Sequence, residues 1–321
     1  MKWKLVGART TEINRTRTGP RRLSDDDVRE AIRNAEAAKK VSAKSGAQWQ
    51  QQNHGLERLE MATETKIKNG DVTLALTSSG AGQKLIFFNG GGATQVIWKR
   101  VVRRLKGQYQ IITFDFRNHG KASASANHAF DAFLSDAERV MDSFGLGRPI
   151  VVGWSLGADL AVSYAASHAG VIGGLVIIDG AVPISEPLVE DEAKMRRSLN
   201  SLAMKFSELL LQLTPYRYRL SGNAYADIVI DLDARRQQLL DVYAKVDCRI
   251  TMILATWSIG KNKTEHAKRG NKIWREGGER LAAKCPSISV KWLDAGHSLP
   301  LTKPVELARE IDDFARRVGN N

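Results

Sequence analysis

Cysteine is almost missing from this chain: Cys248 and Cys285 are the only two in 321 residues. Two isolated thiols make no disulfide framework, and neither stands in the spacing of a metal site. A reducing cytoplasm is the expected setting and no metal is expected. Long apolar runs are missing too. None approaches the ~18 residues that a membrane-spanning helix requires, and no apolar block follows the N-terminal charges, so neither a membrane span nor a secretory signal is expected. No internal repeat is visible, and no basic stripe interleaved with aromatics. That last absence matters because the net charge is +13 and the pI about 9.8. The positive residues are dispersed, many of them in the opening stretch (Lys2, Lys4, Arg9, Arg15, Arg17, Arg21, Arg22). Solvated Lys and Arg faces account for them better than nucleic acid as a partner.

What is present is ample apolar material, 43% of residues, in a pattern that alternates strand and helix. Residues 1–60 stand apart. They read as a basic, weakly ordered extension with one helix from Ser24 to about Lys40, started by Ser24 and three aspartates. From 61 to 321 the chain reads as one α/β domain. Lys66-Ile67 and Val72 to Leu76 flank Asn69-Gly70, a hairpin signal. Strands follow at Leu85 to Phe88, Gln110 to Phe114, Pro149 to Val152, Leu175 to Ile178, Arg249 to Ala255 and Ser287 to Leu293. Helices are expected at Gln95 to Leu105, Phe130 to Phe144, Ala158 to Ser167, Lys272 to Lys284 and Pro304 to Arg316. The fold class is therefore α/β, a mostly parallel sheet with helices on both faces. After the sixth strand, at about 182–247, the alternation stops. Asp191 to Leu213 and Ala224 to Val246 carry helical spacing, which reads as a helical cap above the carboxyl ends of the strands, where ligands bind in such sheets.

Gly153-Trp154-Ser155-Leu156-Gly157 sits between a buried strand and an Ala-rich helix. A serine hydroxyl is a poor nucleophile unless held exposed, beside a base and near donors for an oxyanion. A tight strand-to-helix turn meets those needs, because the helix N-terminus supplies N–H groups and a favourable dipole. Ser155 is the candidate nucleophile. Phe88-Asn89-Gly90-Gly91-Gly92 forms a second Gly-rich turn after a buried strand, where backbone can approach a carbonyl closely. It lacks the Lys-Ser/Thr of a phosphate-binding loop.

With Phe114-Asp115-Phe116-Arg117-Asn118-His119-Gly120 and Asp294-Ala295-Gly296-His297, these motifs occur in an order that resembles the α/β-hydrolase superfamily, in its serine-nucleophile, esterase-like branch. The resemblance covers about Lys66 to Arg317. It implies the α/β-hydrolase fold, oxyanion donation by the N–H groups of Gly91 and Leu156, His297 as general base, and no cofactor. Asn89 stands where the family usually has His, and Asn118 where it has Gly. The family's acid usually follows the strand ending at Ala255, yet residues 255–262 carry no carboxylate. Asp179, ending the strand Leu175 to Ile178, occupies an alternative position used by some members. Glu265 stands downstream in the usual loop, and a Ser–His pair without an acid is the third case. Asp294 reads as a loop-stabilising residue.

The expectation is a serine hydrolase of a small or medium acyl substrate, most simply a carboxylic ester, working through an acyl-enzyme. Two rival readings stay open: a non-catalytic ligand-binding member of the fold, and anionic-surface or nucleic-acid binding through the basic extension. The substrate and the oligomeric state are not legible.

Overall fold

The computed structural model of the protein describes residues 62–144, 147–212 and 214–319. The extension and its expected helix at Ser24 to Lys40 lie outside the described residues. Eight strands form one sheet: β1 Thr63–Asn69, β2 Val72–Ser79, β3 Lys84–Phe88, β4 Gln110–Asp115, β5 Ile150–Trp154, β6 Gly174–Ile178, β7 Arg249–Ala255 and β8 Ser289–Leu293. Their order is β1-β2-β4-β3-β5-β6-β7-β8. The pairs β1–β2 and β2–β4 are antiparallel and the rest are parallel. The Asn69↔Val72 pairing leaves Gly70 and Asp71 as a two-residue hairpin turn, with Gly70 at φ +59°.

The central strands are apolar throughout because both of their faces are covered. Ile86 and Phe88 of β3 pack on one side, with Phe133 and Val140 of α2 (Phe130–Asp142) and Leu160 and Ala161 of α3 (Leu156–Ser167). Leu85 and Phe87 pack on the other, with Val101 and Leu105 of α1 (Lys99–Leu105). The C-terminal helix Pro304–Gly319 joins that second layer through Leu307, Ile311 and Phe314. These three lie at four- and three-residue spacing on one face, each fully buried apolar side chain contributing about 1.5–3 kcal/mol.

Several helices differ from the sequence expectation. Gln95 to Leu105 divides into a 3₁₀ turn, Gln95–Trp98, and α1. Between β6 and β7 the two helical segments become four: α4 Glu192–Leu199, α5 Leu202–Gln212, α6 Gly222–Arg236 and α7 Leu239–Tyr243. Helix α8, Glu265–Lys284, starts well before Lys272. Its glycines are not breakers. A Cβ at Gly277 would lie 2.5 Å from the Pro183 carbonyl oxygen and one at Gly278 2.8 Å from Leu254, so they set the close approach of helix to sheet. A single turn, α9 (Leu299–Thr302), precedes the C-terminal helix α10 (Pro304–Gly319).

The inserted segment is tied to the sheet layer by apolar side chains of α6 and α7, such as Ile228 and Tyr243, and by ionic and backbone bonds. Arg236 of α6 donates twice to Asp159 of α3, at 3.0 and 2.7 Å, inside the protein. Asp159 also accepts the Ala181 N–H, so removing either partner would strand a buried charge, at a cost of about 3–5 kcal/mol. Residues 217–219 dock on the loop after β4, through Gly120 N–H to the Arg217 carbonyl and Arg219 N–H to the Asn118 carbonyl.

Candidate active site

The strand order reverses direction at β3, which has β4 on one side and β5 on the other. Ligands in open α/β sheets bind at the carboxyl ends of the strands beside such a reversal. Three segments meet there: the Gly90–Gly92 turn after β3, Ser155 after β5 and Asp179 after β6.

Ser155 caps α3 with φ +54° and ψ −124°, a conformation that costs about 1–3 kcal/mol for a residue with a side chain. The turn is enforced by its neighbours. A Cβ at Gly157 would lie 2.3 Å from the Phe88 carbonyl oxygen, and one at Gly153 2.4 Å from the Gly157 carbonyl oxygen. Only glycine permits this crossing of β3, β5 and α3, and the crossing turns the Ser155 side chain out of the sheet.

His297 follows β8. Its carbonyl accepts the Trp154 indole N–H at 2.9 Å, and the Trp154 ring lies 5.3 Å from the imidazole, centroid to centroid. Imidazole Nε2 is 2.9 Å from Ser155 Oγ, and Nδ1 is 2.7 Å from Asp179 Oδ2. An ionised carboxylate only accepts, so the tautomer is assigned with the proton on Nδ1 and a lone pair on Nε2 facing the serine hydroxyl.

Asp179 is fully buried, at φ +41°. The Ala255 N–H and the Trp274 indole N–H both donate to Oδ1 at 3.0 Å. On Oδ2 the Ser258 hydroxyl donates at 2.7 Å beside the His297 contact. Four donors fill the four acceptor positions of a carboxylate. The Arg236 guanidinium lies 5.2 Å over the Trp274 ring, linking this cradle to α6.

The Gly-rich turn lies against the elbow. A Cβ at Gly90 would be 3.0 Å from Ser155 Cβ, and one at Gly91 3.7 Å from Leu156 Cδ2. Leu156 opens α3, so its N–H is among those without an intrahelical partner. Asn89, the departure noted in the sequence, is buried between two bonds. It donates to the Phe114 carbonyl at 2.7 Å and accepts the Trp98 indole N–H at 2.9 Å. His119 supports the turn from the other side, with Nε2 accepting the Gly92 N–H at 2.9 Å and Nδ1 on the Arg117 carbonyl at 2.7 Å. Burial holds the His119 imidazole below its ordinary value, which keeps Nε2 an acceptor. Tyr225 of α6 and Tyr218 roof this turn: a Cβ at Gly92 would meet their rings at 3.2 and 3.7 Å.

The fold therefore brings Ser155, His297 and Asp179 into one hydrogen-bonded row and sets Gly91 and Leu156 beside it. Glu265 is not part of it. It stands in the first turn of α8, almost fully exposed, and bonds Lys268 at 2.8 Å. Asp294 accepts from Thr256 Oγ1 and the Trp257 indole and so ties the loop after β8 to the one after β7. Trp274, Ser258 and the buried contact of His119 are not legible in the sequence. A tryptophan inside a polar helix and a loop serine carry no local signal, and only the spacing Asp-x-Arg-x-His-Gly pointed at His119. Among the described residues no group of three or more His, Cys, Asp or Glu side chains could hold a metal, and no helix is long and apolar enough to cross a membrane.

The model of the alpha/beta hydrolase family matches residues 85–310. The chain belongs to that family. Among curated proteins it is similar to 2-(acetamidomethylene)succinate hydrolase of Mesorhizobium japonicum, 26% identical over 129 residues, 40% of this chain and 45% of that protein. It is similar also to lipase LipV of Mycobacterium tuberculosis, 26% identical over 235 residues, 67% of this chain and 86% of the lipase. The chain spans less than half the length of several curated relatives that it matches. A thermophilic esterase from Thermogutta terrifontis shares the fold, with TM-score 0.61 and 17% identity over 80% of this chain and 99% of that one.

Proposed function

We propose that this chain is a serine hydrolase of small or medium acyl substrates, most simply carboxylic esters. The observation that carries the reading is the row Ser155 Oγ–His297 Nε2 at 2.9 Å and His297 Nδ1–Asp179 Oδ2 at 2.7 Å on a strained elbow. Ser155 attacks the acyl carbonyl carbon as its proton passes to His297 Nε2. The carbonyl oxygen, now an oxyanion, takes the N–H groups of Gly91 and Leu156, and Asp179 stabilises the imidazolium. Collapse expels the alcohol, which leaves with the proton from His297. Water then adds to the acyl-enzyme, gives its proton to His297 and releases the acid, restoring Ser155.

A serine at the elbow supports acyl transfer over epoxide or haloalkane chemistry, which in this fold needs a carboxylate nucleophile. Names such as lipase and hydrolase among the relatives support the same class. No cofactor enters this mechanism. Tyr218 and Tyr225, over the oxyanion turn, support a substrate-shaping role for the cap at 182–247.

A fluorophosphonate probe should label the protein, and Ser155→Ala should abolish labelling while leaving the fold intact. Ser155→Ala and His297→Ala should each lower turnover of an activated ester by about 10⁴-fold or more, and the double variant should be little worse, because the two act as one unit. Losses that multiply would show that His297 is not the base for Ser155. An unlabelled wild-type protein would instead favour the non-catalytic, ligand-binding reading.

A further inference from the structure

Ser258 stands in the loop after β7, half-buried between a fully buried Asp179 and an imidazole whose side chain is 39% exposed. Its hydroxyl donates to Asp179 Oδ2 at 2.7 Å, and the same oxygen lies 3.3 Å from His297 Nδ1. Those two contacts and the 2.7 Å bond from Nδ1 to Oδ2 close a small triangle. The donors on Oδ1, Ala255 N–H and Trp274 Nε1–H, fix the carboxylate from behind, and Oδ2 is left to the imidazole and the Ser258 hydroxyl. A second acceptor beside Nδ1–H narrows the angle at which the imidazole meets Oδ2.

We propose that Ser258 is a positioning residue for the Asp179–His297 pair: it shares the Nδ1 proton, fills the last acceptor position of Oδ2 and keeps water out of that contact. It does not touch the acyl group. Its role rests on the acyl-enzyme reading, but the positioning itself is measurable without turnover. The loop geometry also suits a carboxylate at this position. The Cγ of an aspartate would stand about where the Ser258 oxygen stands now, 3.3 Å from Nδ1, and a carboxylate oxygen one bond further out would meet the imidazole.

The test uses the full chain with Ser258→Ala, Ser258→Thr, Asp179→Asn and the double variant Asp179→Asn with Ser258→Asp. Removing a hydrogen bond to a charged group should lower kcat for an activated ester about tenfold to a hundredfold, with KM unchanged within about twofold. Ser258→Thr keeps the hydroxyl and should restore most of kcat. The double variant should exceed Asp179→Asn by about tenfold. Independently of turnover, the His297 Nδ1 proton, observed by NMR, should exchange with solvent about tenfold faster in Ser258→Ala than in wild type. A protein that cleaves no ester but shows this faster exchange loses the acyl-enzyme reading and keeps the positioning role. Full kcat and unchanged exchange in Ser258→Ala, in a wild type that labels at Ser155, would overturn the positioning role alone.

Discussion

Helices α3 and α5 are alike in length, 12 and 11 residues, and both are rich in apolar side chains, yet the fold uses them in opposite ways. Helix α3 buries Leu156 to Val162 without a break, and even its Asp159 is neutralised inside by Arg236. Helix α5 leaves Leu202, Phe206, Leu209 and Leu210 between 52% and 86% exposed. One helix is apolar on all sides because it lies between sheet and cap; the other has a single apolar stripe at i, i+4, i+7 and i+8 that meets no described partner. The difference separates two tasks. The helix that Ser155 caps is buried from Leu156 to Val162, so the geometry around that serine is held by packing. The cap's helices α6 and α7 join the main core through Ile228, Leu232, Leu239 and Tyr243, whereas its outer helix α5 can change without disturbing the elbow.

The largest expected effect falls on the locked side. Asp179→Asn is nearly isosteric but cannot orient the Nδ1 proton, so turnover of an activated ester should fall by up to ~10⁴; two of the four buried donors then face the amide NH2, so the thermal midpoint should fall as well. Glu265→Gln, exposed on α8, should stay within about twofold. The reverse outcome would move the acid to Glu265 and end the distinction between a buried, fully bonded carboxylate and a surface one.

Truncations sharpen the comparison directly. Leu160→Ala on α3 should destabilise by about 2–5 kcal/mol, since it empties a filled core. Leu209→Ala on α5 should change unfolding free energy by less than about 0.5 kcal/mol. Denaturant melts of the two variants read both values. If Leu209→Ala costs as much as Leu160→Ala, the stripe on α5 is covered in the folded protein and the contrast fails.

The smallest effect is on pH dependence. His119 is buried with its basicity depressed, so the unfolded chain takes up a proton near pH 6.5 where the folded one does not. The unfolded state then binds more protons, and stability should fall as the pH drops below about 6.5. His119→Gln has no such titration and should flatten that part of the curve, even though it lowers stability at neutral pH. Thermal midpoints from pH 8 to 5 measure the difference. An unchanged slope would mean that His119 is charged in the folded protein and cannot accept from Gly92.

Local pattern carried much of the architecture. Apolar runs predicted the central strands to within a few residues because a strand covered on both faces has no polar position to hide in, while the mostly exposed edge strand β1 was signalled by the Asn69-Gly70 turn. The elbow was legible because Gly153 and Gly157 are dictated by backbone contacts at 2.4 and 2.3 Å. Helix ends were less legible. The first half of α8 contains polar residues and Gly270, whose missing Cβ makes room for Ile259 across a loop, a reason that no local window contains.

From residue order alone, the fold class and the Ser155 turn were legible, the first from the alternation of apolar strands with helices and the second from the steric needs of a few consecutive residues, while the Gly-His loop stood out through the family resemblance. Tertiary structure decided which carboxylate meets His297. Asp179 is 118 residues away, and it arrives through the adjacency of β6 and β7, its own positive φ and a cradle built from Ala255, Ser258 and Trp274. Propensity and spacing are local quantities, whereas the choice between Asp179 and Glu265 is a matter of burial and of donors brought from three separate segments.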